Sequence, residues 1–527
     1  MRIASALSSR QLRKGPLLTI GTIVVGALGA YEAADYVIRE DFTGMAYAGM
    51  ALVGGAIVIR ILNNWRNGLY FFLSWLLFED FARKFLGNNM TIFFAKDLLA
   101  LILYLAFLAA FRRKEIQGFR PPFLVPLLIF IWFGVIQMFN PASTSIWYGL
   151  MGIKMFFYYV PLVFLGYALI NSEAQIRRFF NVNVVFALII ISLGIAQSIR
   201  GPSFLNPKVP AEELRELSTL YRVSPEGGLA YRPTSIFVSA GRYGNFTFLA
   251  WLLVLGFSAY LLLRHKRGRI PTLIAIAVTA TGGFLTTSRG ALMWGMINIL
   301  ATSVAFIWGA PWKQGEALRV FRGIQRAVIG IALGIVLLLA AFPDALLTRL
   351  AIYEATLLPS SPTSELPYRS WDYPVQNFLG AFSYDRWPYG YGIGTSGLGS
   401  QYVTRIFKVR PPGPGVESGF GALVVEMGIG GLVLWLVMSL AITVSAWKIV
   451  KRLKGSPFLP LGFVIFWYAF VLLFPLTFGG IQAYEDFLLN AYLWLLLGIL
   501  FRLPSLVPDA QFAPTAPAAD FGRRWIS

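Results

Sequence analysis

The hydrophobic residues of this 527-residue chain fall into long apolar runs separated by shorter polar segments. A run of roughly 17–25 apolar residues is long enough to cross a bilayer as a helix. The third run is the weakest, because Glu79 and Asp80 interrupt it. The pattern predicts an all-α polytopic membrane protein with about fourteen transmembrane helices. The predicted spans lie near 17–34, 45–59, 69–86, 92–111, 122–139, 147–170, 180–198, 243–263, 270–287, 290–309, 327–343, 419–447, 457–478 and 484–501.

The composition agrees with a membrane protein and excludes several kinds of site. Hydrophobic residues make up 57% of the chain and charged residues 13%, with a mean hydropathy of +0.65. An average soluble domain is roughly 45–50% apolar and about 25% charged, so this chain cannot cover a soluble surface. It has no cysteine and one histidine, His265, which excludes disulfide scaffolds, thiolate zinc sites, cysteine nucleophiles and multi-histidine metal sites. No metal or cofactor that depends on cysteine or on several histidines is therefore expected.

The formal net charge of +20 would ordinarily suggest a nucleic-acid partner. In a polytopic protein, however, Lys and Arg accumulate in cytoplasmic loops. The basic clusters 112–114, 264–269 and 448–454 all fall on the side that also carries both chain ends, and the opposite side is nearly neutral. The surplus thus predicts an orientation with both termini cytoplasmic, and no nucleic-acid partner.

The spans divide the chain into six predicted segments. Residues 1–34 can also be read as a secretory signal, but a first span is favoured because the apolar run is long and many spans follow. We expect no soluble domain outside the bundle. The segments are N-terminal transmembrane helices over 1–199, a first long outer loop over 200–242, transmembrane helices over 243–343, a large outer loop over 344–416, C-terminal transmembrane helices over 417–502 and a disordered cytoplasmic tail over 503–527.

The two long outer loops are rich in arginine. Loops this long without obvious secondary structure are usually functional. Arg presents a planar fork that binds carboxylate or phosphate through two hydrogen bonds, which Lys does not. We expect a few of these residues to form an outward-facing anion site and the others to pair with loop carboxylates. The basic residues are Arg200, Lys208, Arg215, Arg222, Arg232 and Arg242 in the first loop, and Arg349, Arg369, Arg386, Arg405, Lys408 and Arg410 in the second.

Arg289 is the sharpest candidate for this anion site. The stretch 286–290 joins two predicted spans at their outer end with almost no loop. A charge held at the membrane surface is costly and usually functional. The alternative is an arginine that extends to the interface and only anchors the turn.

Two further candidates lie in and just after the second loop. Gly390, Gly392 and Gly394 are spaced two residues apart, which lets backbone N–H groups approach an anion or a sugar, although a glycine-rich turn explains the pattern equally well. Glu417 precedes a predicted span. It is a candidate general base if its pKa is raised by desolvation, and otherwise an acid that favours a helix N-terminus.

Four segments together resemble the O-antigen ligase and polymerase superfamily of bacterial envelope glycosyltransferases. They occur in the family's order, and the likeness covers about residues 232–434. The segments are Arg232–Phe237 followed by Gly244–Phe246, then Ser288–Ala291, then Arg369–Asp372 with Tyr389–Gly394, and finally Glu417–Phe420 with Glu426–Gly431.

The resemblance implies a GT-C-like helical-bundle transferase of the bacterial inner membrane, with periplasmic outer loops, that uses neither metal nor nucleotide sugar. Its substrates would be undecaprenyl-pyrophosphate-linked oligosaccharides held among membrane lipids, with a flippase and a chain-length regulator as possible partners. By position, Arg232, Arg289 and Arg369 would hold the pyrophosphate and stabilise its leaving charge, while a base deprotonates the acceptor hydroxyl. The expected substrate-binding residues are Arg232, Arg289, Arg369, Arg242, Gly392 and Gly394.

One departure from the family affects the choice of reaction. The ligase pattern has a histidine where this chain has Glu417, and no histidine lies on the predicted outer side. Glu417 is then a substitute catalytic base, or the base role is unfilled. We therefore favour a polymerase of surface polysaccharide repeat units, with a ligase to lipid A core second. A non-enzymatic transporter or flippase stays open, although it would be expected to have polar residues deep in several spans and symmetrical halves.

Overall fold

A computed structural model describes most of the chain. The described residues are 42–86, 90–207, 220–224, 226–264, 268–309, 342–358, 364, 366–475 and 481–507, with isolated positions between 322 and 340. The predicted span near 17–34, most of the one near 327–343, His265 and the tail from residue 508 lie outside them.

The described residues are mostly helical. Short π-helical and 3₁₀ turns also occur at Tyr368–Asp372, Ala381–Ser383 and Leu503–Leu506. The helices and strands, in chain order, are α1 (Phe42–Asn63), α2 (Trp65–Phe85), α3 (Met90–Arg112), α4 (Leu124–Met138), α5 (Ile146–Phe157), α6 (Leu162–Leu169), α7 (Glu173–Arg200), β1 (Tyr221–Val223), β2 (Leu229–Tyr231), α8 (Ala240–Arg264), α9 (Arg269–Leu285), α10 (Arg289–Gly309), α11 (Pro343–Leu357), α12 (Tyr373–Gly380), α13 (Leu398–Phe407), α14 (Gly419–Arg452), α15 (Leu459–Leu473), α16 (Ile481–Glu485) and α17 (Phe487–Arg502).

Seven helices among the described residues are long and apolar enough to cross a membrane. Four shorter apolar helices accompany them, and the chain is thus a multi-pass membrane protein. The all-α membrane class is confirmed, and the count of fourteen stays a prediction. These spans are Met90–Arg112, Ile146–Leu169 (α5 and α6 with the turn between them), Glu173–Arg200, Ala240–Arg264, Arg289–Gly309, Gly419–Arg452 and Phe487–Leu506 (α17 with the 3₁₀ turn that follows it).

The third predicted span folds as helix α2 but is not among these seven. Its C-terminal part carries Glu79, Asp80 and Arg83, all of which are buried. Charged side chains inside a protein need partners, so this part of α2 forms polar contacts. The length of the apolar run did not predict these contacts.

The chain divides into two compact units. One comprises Met1–Trp75 and Phe94–Glu115, and the other Leu76–Phe93 and Ile116–Ser527. In the first unit, Trp65 of α2 packs edge-on against Phe107 of α3 with 5.1 Å between ring centroids.

The second unit contains a pair of helices in backbone contact, α6 and α17. A Cβ atom added to Gly166 would strike the carbonyl of Leu495, and one added to Gly498 would strike the carbonyl of Val163. Two glycines therefore let the backbones meet, which is how membrane helices commonly associate because lipid offers no hydrophobic drive between them.

Helix α14 is broken near one end, and a loop replaces the lost hydrogen bonds. Gly428 has φ of 68° and ψ of −173°, so the helical ladder stops there. The N–H of Ile429 donates instead to the carbonyl of Trp387 at 3.2 Å, and the carbonyl of Val425 accepts from Tyr391 at 2.8 Å. Backbone groups left without partners at membrane depth are costly, so the break fixes the position of this loop segment.

The same loop segment is held by the carboxylate of Glu426. Its two oxygens accept the backbone N–H groups of Gly394 at 3.0 Å, Ser396 at 2.9 Å and Gly397 at 2.9 Å. Gly390 and Gly394 both have φ near +80°, a left-handed conformation that glycine adopts without strain. The glycine repeat thus forms a tight turn wrapped around the break in α14.

Replacing Gly394 with alanine should destabilise the fold. The left-handed backbone costs a non-glycine residue roughly 1–2 kcal/mol. The added Cβ would also meet the carbonyl of Tyr148 and, at 2.7 Å, the nitrogen of Gly152, and such overpacking typically costs about 1–3 kcal/mol more. Gly201→Ala is the matched control, since its φ is 86° and open space surrounds its Cβ position. Thermal denaturation of the purified protein should show the larger loss for Gly394→Ala, and equal losses would contradict the close packing.

Candidate functional site

Arg232 is positioned by a small hairpin that the helical prediction missed. Strands β1 and β2 pair antiparallel, with Tyr221 opposite Tyr231, and the N–H of Arg232 donates to the carbonyl of Leu220 at 2.6 Å. The residues that follow are held by Gln197 of α7, whose side-chain oxygen accepts the N–H groups of Thr234 at 2.8 Å and Ser235 at 2.6 Å. The arginine is therefore fixed on both sides along the chain.

Arg289 lies at the start of a long helix. It is the first residue of α10, and the Ser288 hydroxyl caps this helix by accepting the N–H of Ala291 at 3.3 Å. Thr287, just before it, is buried and has φ of 54°, so the chain turns sharply between α9 and α10. The N-terminus of a helix carries partial positive charge, which adds to the charge of the arginine.

Arg349 of α11 joins these two segments. It is only 2% exposed. Its Nε donates to the hydroxyl of Thr287 at 3.2 Å and its NH2 group donates to the carbonyl of Tyr231 at 2.8 Å. One guanidinium thus ties the residue before Arg232 to the turn before Arg289, which fixes the relative position of the two segments.

The electrostatics place several positive charges together. Burial lowers the pKa of the Arg232 guanidinium, and the positive charge of Arg289 lowers it further. Burial likewise lowers the pKa of Arg349. Burial raises the pKa of the Tyr353 hydroxyl on α11, while the charge of Arg349 acts in the opposite direction. The charges of Arg222 and Arg232 also act on Tyr353, so four arginines lie in one neighbourhood.

This neighbourhood, which we call the arginine cluster (Arg222, Arg232, Arg289 and Arg349), is suited to bind an anion. Positive groups that repel one another in a partly buried site favour the arrival of negative charge, since an anion relieves the repulsion. The start of helix α10 reinforces this preference. Two predicted site residues, Arg232 and Arg289, are therefore brought together by the fold.

The structure shows less about two other predicted site residues, Arg369 and Glu417. Arg369 lies in the π-helical turn Tyr368–Asp372, and its side chain lies outside what the structure describes. Glu417 is exposed and directly precedes Ser418, whose hydroxyl caps α14 by accepting the N–H of Gly421 at 3.1 Å. Their roles in a site stay predictions, and the desolvation that would favour Glu417 as a base is not observed, because its side chain is exposed.

The glycine repeat has a different environment from the predicted one. The N–H of Gly392 donates to the carbonyl of Glu426 at 2.8 Å, and the N–H of Gly394 donates to the Glu426 carboxylate. These are the N–H groups expected to approach an anion or a sugar. Because they are used within the protein, we do not include Gly392 and Gly394 in the proposed anion site.

Arg242 also differs from an exposed anion ligand. It is 12% exposed and forms an ion pair with Asp80 of α2, while its Nε lies 3.6 Å from a carboxylate oxygen of Asp486. Its guanidinium stacks on the ring of Phe487, 3.9 Å from the centroid. Asp486 in turn caps α17 by accepting the N–H of Leu488 at 3.0 Å. Arg242 thus connects α2, α8 and α17, and we leave it out of the anion site as well.

Sequence reasoning did not identify Arg349, Arg222 and Tyr353 as parts of one site. Both arginines were among the basic loop residues named from the sequence, but their spacing along the chain does not predict that they meet. The hydrogen bond from Arg349 to Tyr231 joins residues more than a hundred positions apart. Among the described residues, no group of three or more His, Cys, Asp or Glu side chains is arranged to hold a metal ion.

Arg242→Ala should lower stability strongly, because it removes the cation that the structure pairs with the buried Asp486 and leaves the buried Asp80 paired with Arg83 alone. Breaking a buried pair typically costs about 3–5 kcal/mol. The matched control is Arg264→Ala at the other end of α8, where the ion pair with Glu173 is about 30% exposed and an exposed pair contributes about 0–1 kcal/mol. Thermal denaturation of both variants measures the difference. Similar melting temperatures would show that Arg242 does not hold the helices together.

No protein-family model matches this chain, and no curated protein matches it in sequence. A function for the protein therefore has to be argued from the arginine cluster and the membrane fold.

Proposed function

We propose that this protein is an inner-membrane polymerase that joins undecaprenyl-pyrophosphate-linked oligosaccharide repeat units into a surface polysaccharide. The reaction would occur at the periplasmic face, where the arginine cluster would lie in the orientation predicted from the basic loops. The substrate is anionic at the pyrophosphate and apolar along the lipid. A membrane protein with a cationic site at the end of a long helix is suited to bind both parts.

The observation that carries this proposal is the pairing of Arg232 with Arg289 at the start of α10. The charge of one lowers the pKa of the other, and the buried Arg349 holds their segments in place. Positive charge arranged before the substrate arrives stabilises developing negative charge without further reorganisation. A pyrophosphate leaving group develops such charge as its bond to the sugar breaks.

The proposed step is a displacement at the anomeric carbon. An acceptor hydroxyl on one repeat unit attacks this carbon, and the bond between the carbon and the pyrophosphate oxygen of the other unit breaks. The bonding electrons leave with the lipid pyrophosphate, whose added charge Arg232 and Arg289 stabilise. The hydroxyl proton passes to a base. The positive charge of the arginines replaces that of a metal ion in this scheme.

Glu417 is the proposed base. It is an exposed carboxylate in the region that enters α14, so an acceptor sugar can reach it. Arg369 is proposed as a third contact to the pyrophosphate on the strength of the family resemblance. A ligase that transfers finished polymer to lipid A core would use the same chemistry with a different acceptor.

A deletion strain distinguishes these functions by what accumulates. Single lipid-linked repeat units at the periplasmic face would support the polymerase. Finished polymer left on the lipid would indicate a ligase, and repeat units held at the cytoplasmic face would indicate a flippase.

Arg289→Ala should abolish polymer formation while the protein still inserts. Loss of one preorganised charge at a developing anion costs about 10²–10³-fold in turnover. Arg405→Ala is the matched control, since Arg405 is an exposed arginine of the large loop outside the arginine cluster. Polymer length on gels and membrane-fraction immunoblots check activity and insertion together. Polymer of normal length from a strain carrying only Arg289→Ala would remove this residue from the mechanism.

Glu417→Gln should slow transfer with substrate binding largely kept. General base catalysis typically contributes about 10²–10⁴-fold to the rate. Asp385→Asn, another exposed loop carboxylate, is the control and should leave turnover unchanged. The measurement is turnover and binding of purified lipid-linked oligosaccharide. Unchanged turnover in Glu417→Gln would return this residue to a structural role at the entry to α14.

A further inference from the structure

One helix of the large loop presents an apolar surface that faces away from the protein. The segment 368–380 runs from the π-helical turn directly into α12. Its exposed apolar residues recur at intervals of three or four, which places them on one side of a helix. We call this set the loop-helix face: Tyr368, Trp371, Val375 and Leu379, which are 45%, 72%, 36% and 60% exposed.

The position of this helix is known relative to α14. A Cβ atom added to Gly421 of α14 would lie 3.1 Å from the carbonyl of Asn377, so the two helices meet at this point. Asn377 is half-buried, whereas the loop-helix face is exposed. The apolar residues therefore point away from α14 and not into the bundle.

The length of α14 locates this contact relative to a bilayer. The continuous part of this helix after the break at Gly428, residues 429–452, has 24 residues and spans about 36 Å at 1.5 Å per residue, which exceeds a hydrocarbon core about 30 Å thick. Near its C-terminal end, Trp447 stacks on Trp308 with 5.3 Å between centroids, and Lys454 lies 4.7 Å from the Trp308 ring. Tryptophan and lysine together are typical of a membrane interface, so one hydrocarbon boundary lies near Trp447.

The position of the other hydrocarbon boundary follows from the number of helical residues that cross the core. A core of about 30 Å takes about 20 residues of helix and ends near Gly428. The exposed residues of α14 agree, since they form an apolar stripe within that length: Ile429, Val433, Leu436, Val437, Leu440 and Val444. Tyr389, which is 74% exposed, lies at this boundary, because its neighbour Trp387 accepts the N–H of Ile429. Gly421 is seven residues further along the chain, on the other side of the break from the membrane-spanning part of α14.

We propose that segment 368–380 is an interfacial helix whose loop-helix face lies in the lipid headgroup layer. A helix at this depth has headgroups beside it, and Trp and Tyr are the side chains that favour this layer. In water the same four residues would form a costly apolar patch. The inference concerns lipid contact alone and goes beyond the proposed polymerase.

The experiment uses the full chain, which has no cysteine of its own. Single cysteines are introduced on the face as Val375→Cys and Leu379→Cys, and beside it as Asp372→Cys and Gln376→Cys, all at exposed positions. Each variant carries a nitroxide label and is reconstituted into phosphatidylethanolamine and phosphatidylglycerol vesicles. Power saturation then compares access of oxygen, which concentrates in lipid, with access of a water-soluble nickel chelate.

The expected result is a severalfold higher ratio of oxygen to nickel access at residues 375 and 379 than at 372 and 376. Equal nickel access at all four positions would place the face in water and overturn the proposal. Exclusion of both probes from 375 and 379, with dipolar broadening between labels, would mean that a second copy covers the face and would also overturn it. None of these readouts depends on polymer formation, so the lipid contact and the proposed activity fail or succeed separately.

Discussion

The break in α14 at Gly428 is the constraint on which the large loop depends. A helix interrupted at membrane depth must find new partners for its N–H and carbonyl groups, and the segment around Trp387–Gly392 supplies them. Gln137 of α4 completes the arrangement by donating to the carbonyl of Tyr389 at 3.1 Å. Backbone hydrogen bonds thus fix the loop, and these bonds are needed whatever side chains the segment carries. Glycine is required where that backbone turns left-handed or approaches another chain segment.

The arginine cluster illustrates a second constraint, namely the energy needed to hold like charges together. Arg349 is buried and contributes two hydrogen bonds to polar backbone and hydroxyl groups, which offset part of its desolvation. It is therefore a positioning residue for Arg232 and Arg289, not a contact to substrate. Sites that stabilise developing charge work best when their groups are held by such supporting contacts.

The apolar helices and the start of α10 were predictable because each depends on residues close together in sequence. Run length identifies a membrane helix, and a serine before an apolar run at Ser288 is typical of a helix N-cap. The surroundings of Arg242 were not predictable, since its partners Asp80 and Asp486 lie about 160 and 240 residues away. The hairpin of β1 and β2 was missed for a related reason. Its strands are three residues each, too short for any alternating pattern to show.

The glycine repeat has a consequence for how the chain can change in length. Trp387 and Tyr391 are hydrogen-bonded to α14, and Gly394, Ser396 and Gly397 donate to Glu426, so the segment between 387 and 397 is held in a fixed register. An insertion there would displace one set of hydrogen bonds or the other. Length variation in the large loop is therefore confined to stretches outside this segment. The number of residues between 387 and 397 therefore matters to the structure as much as the side chains of this segment do.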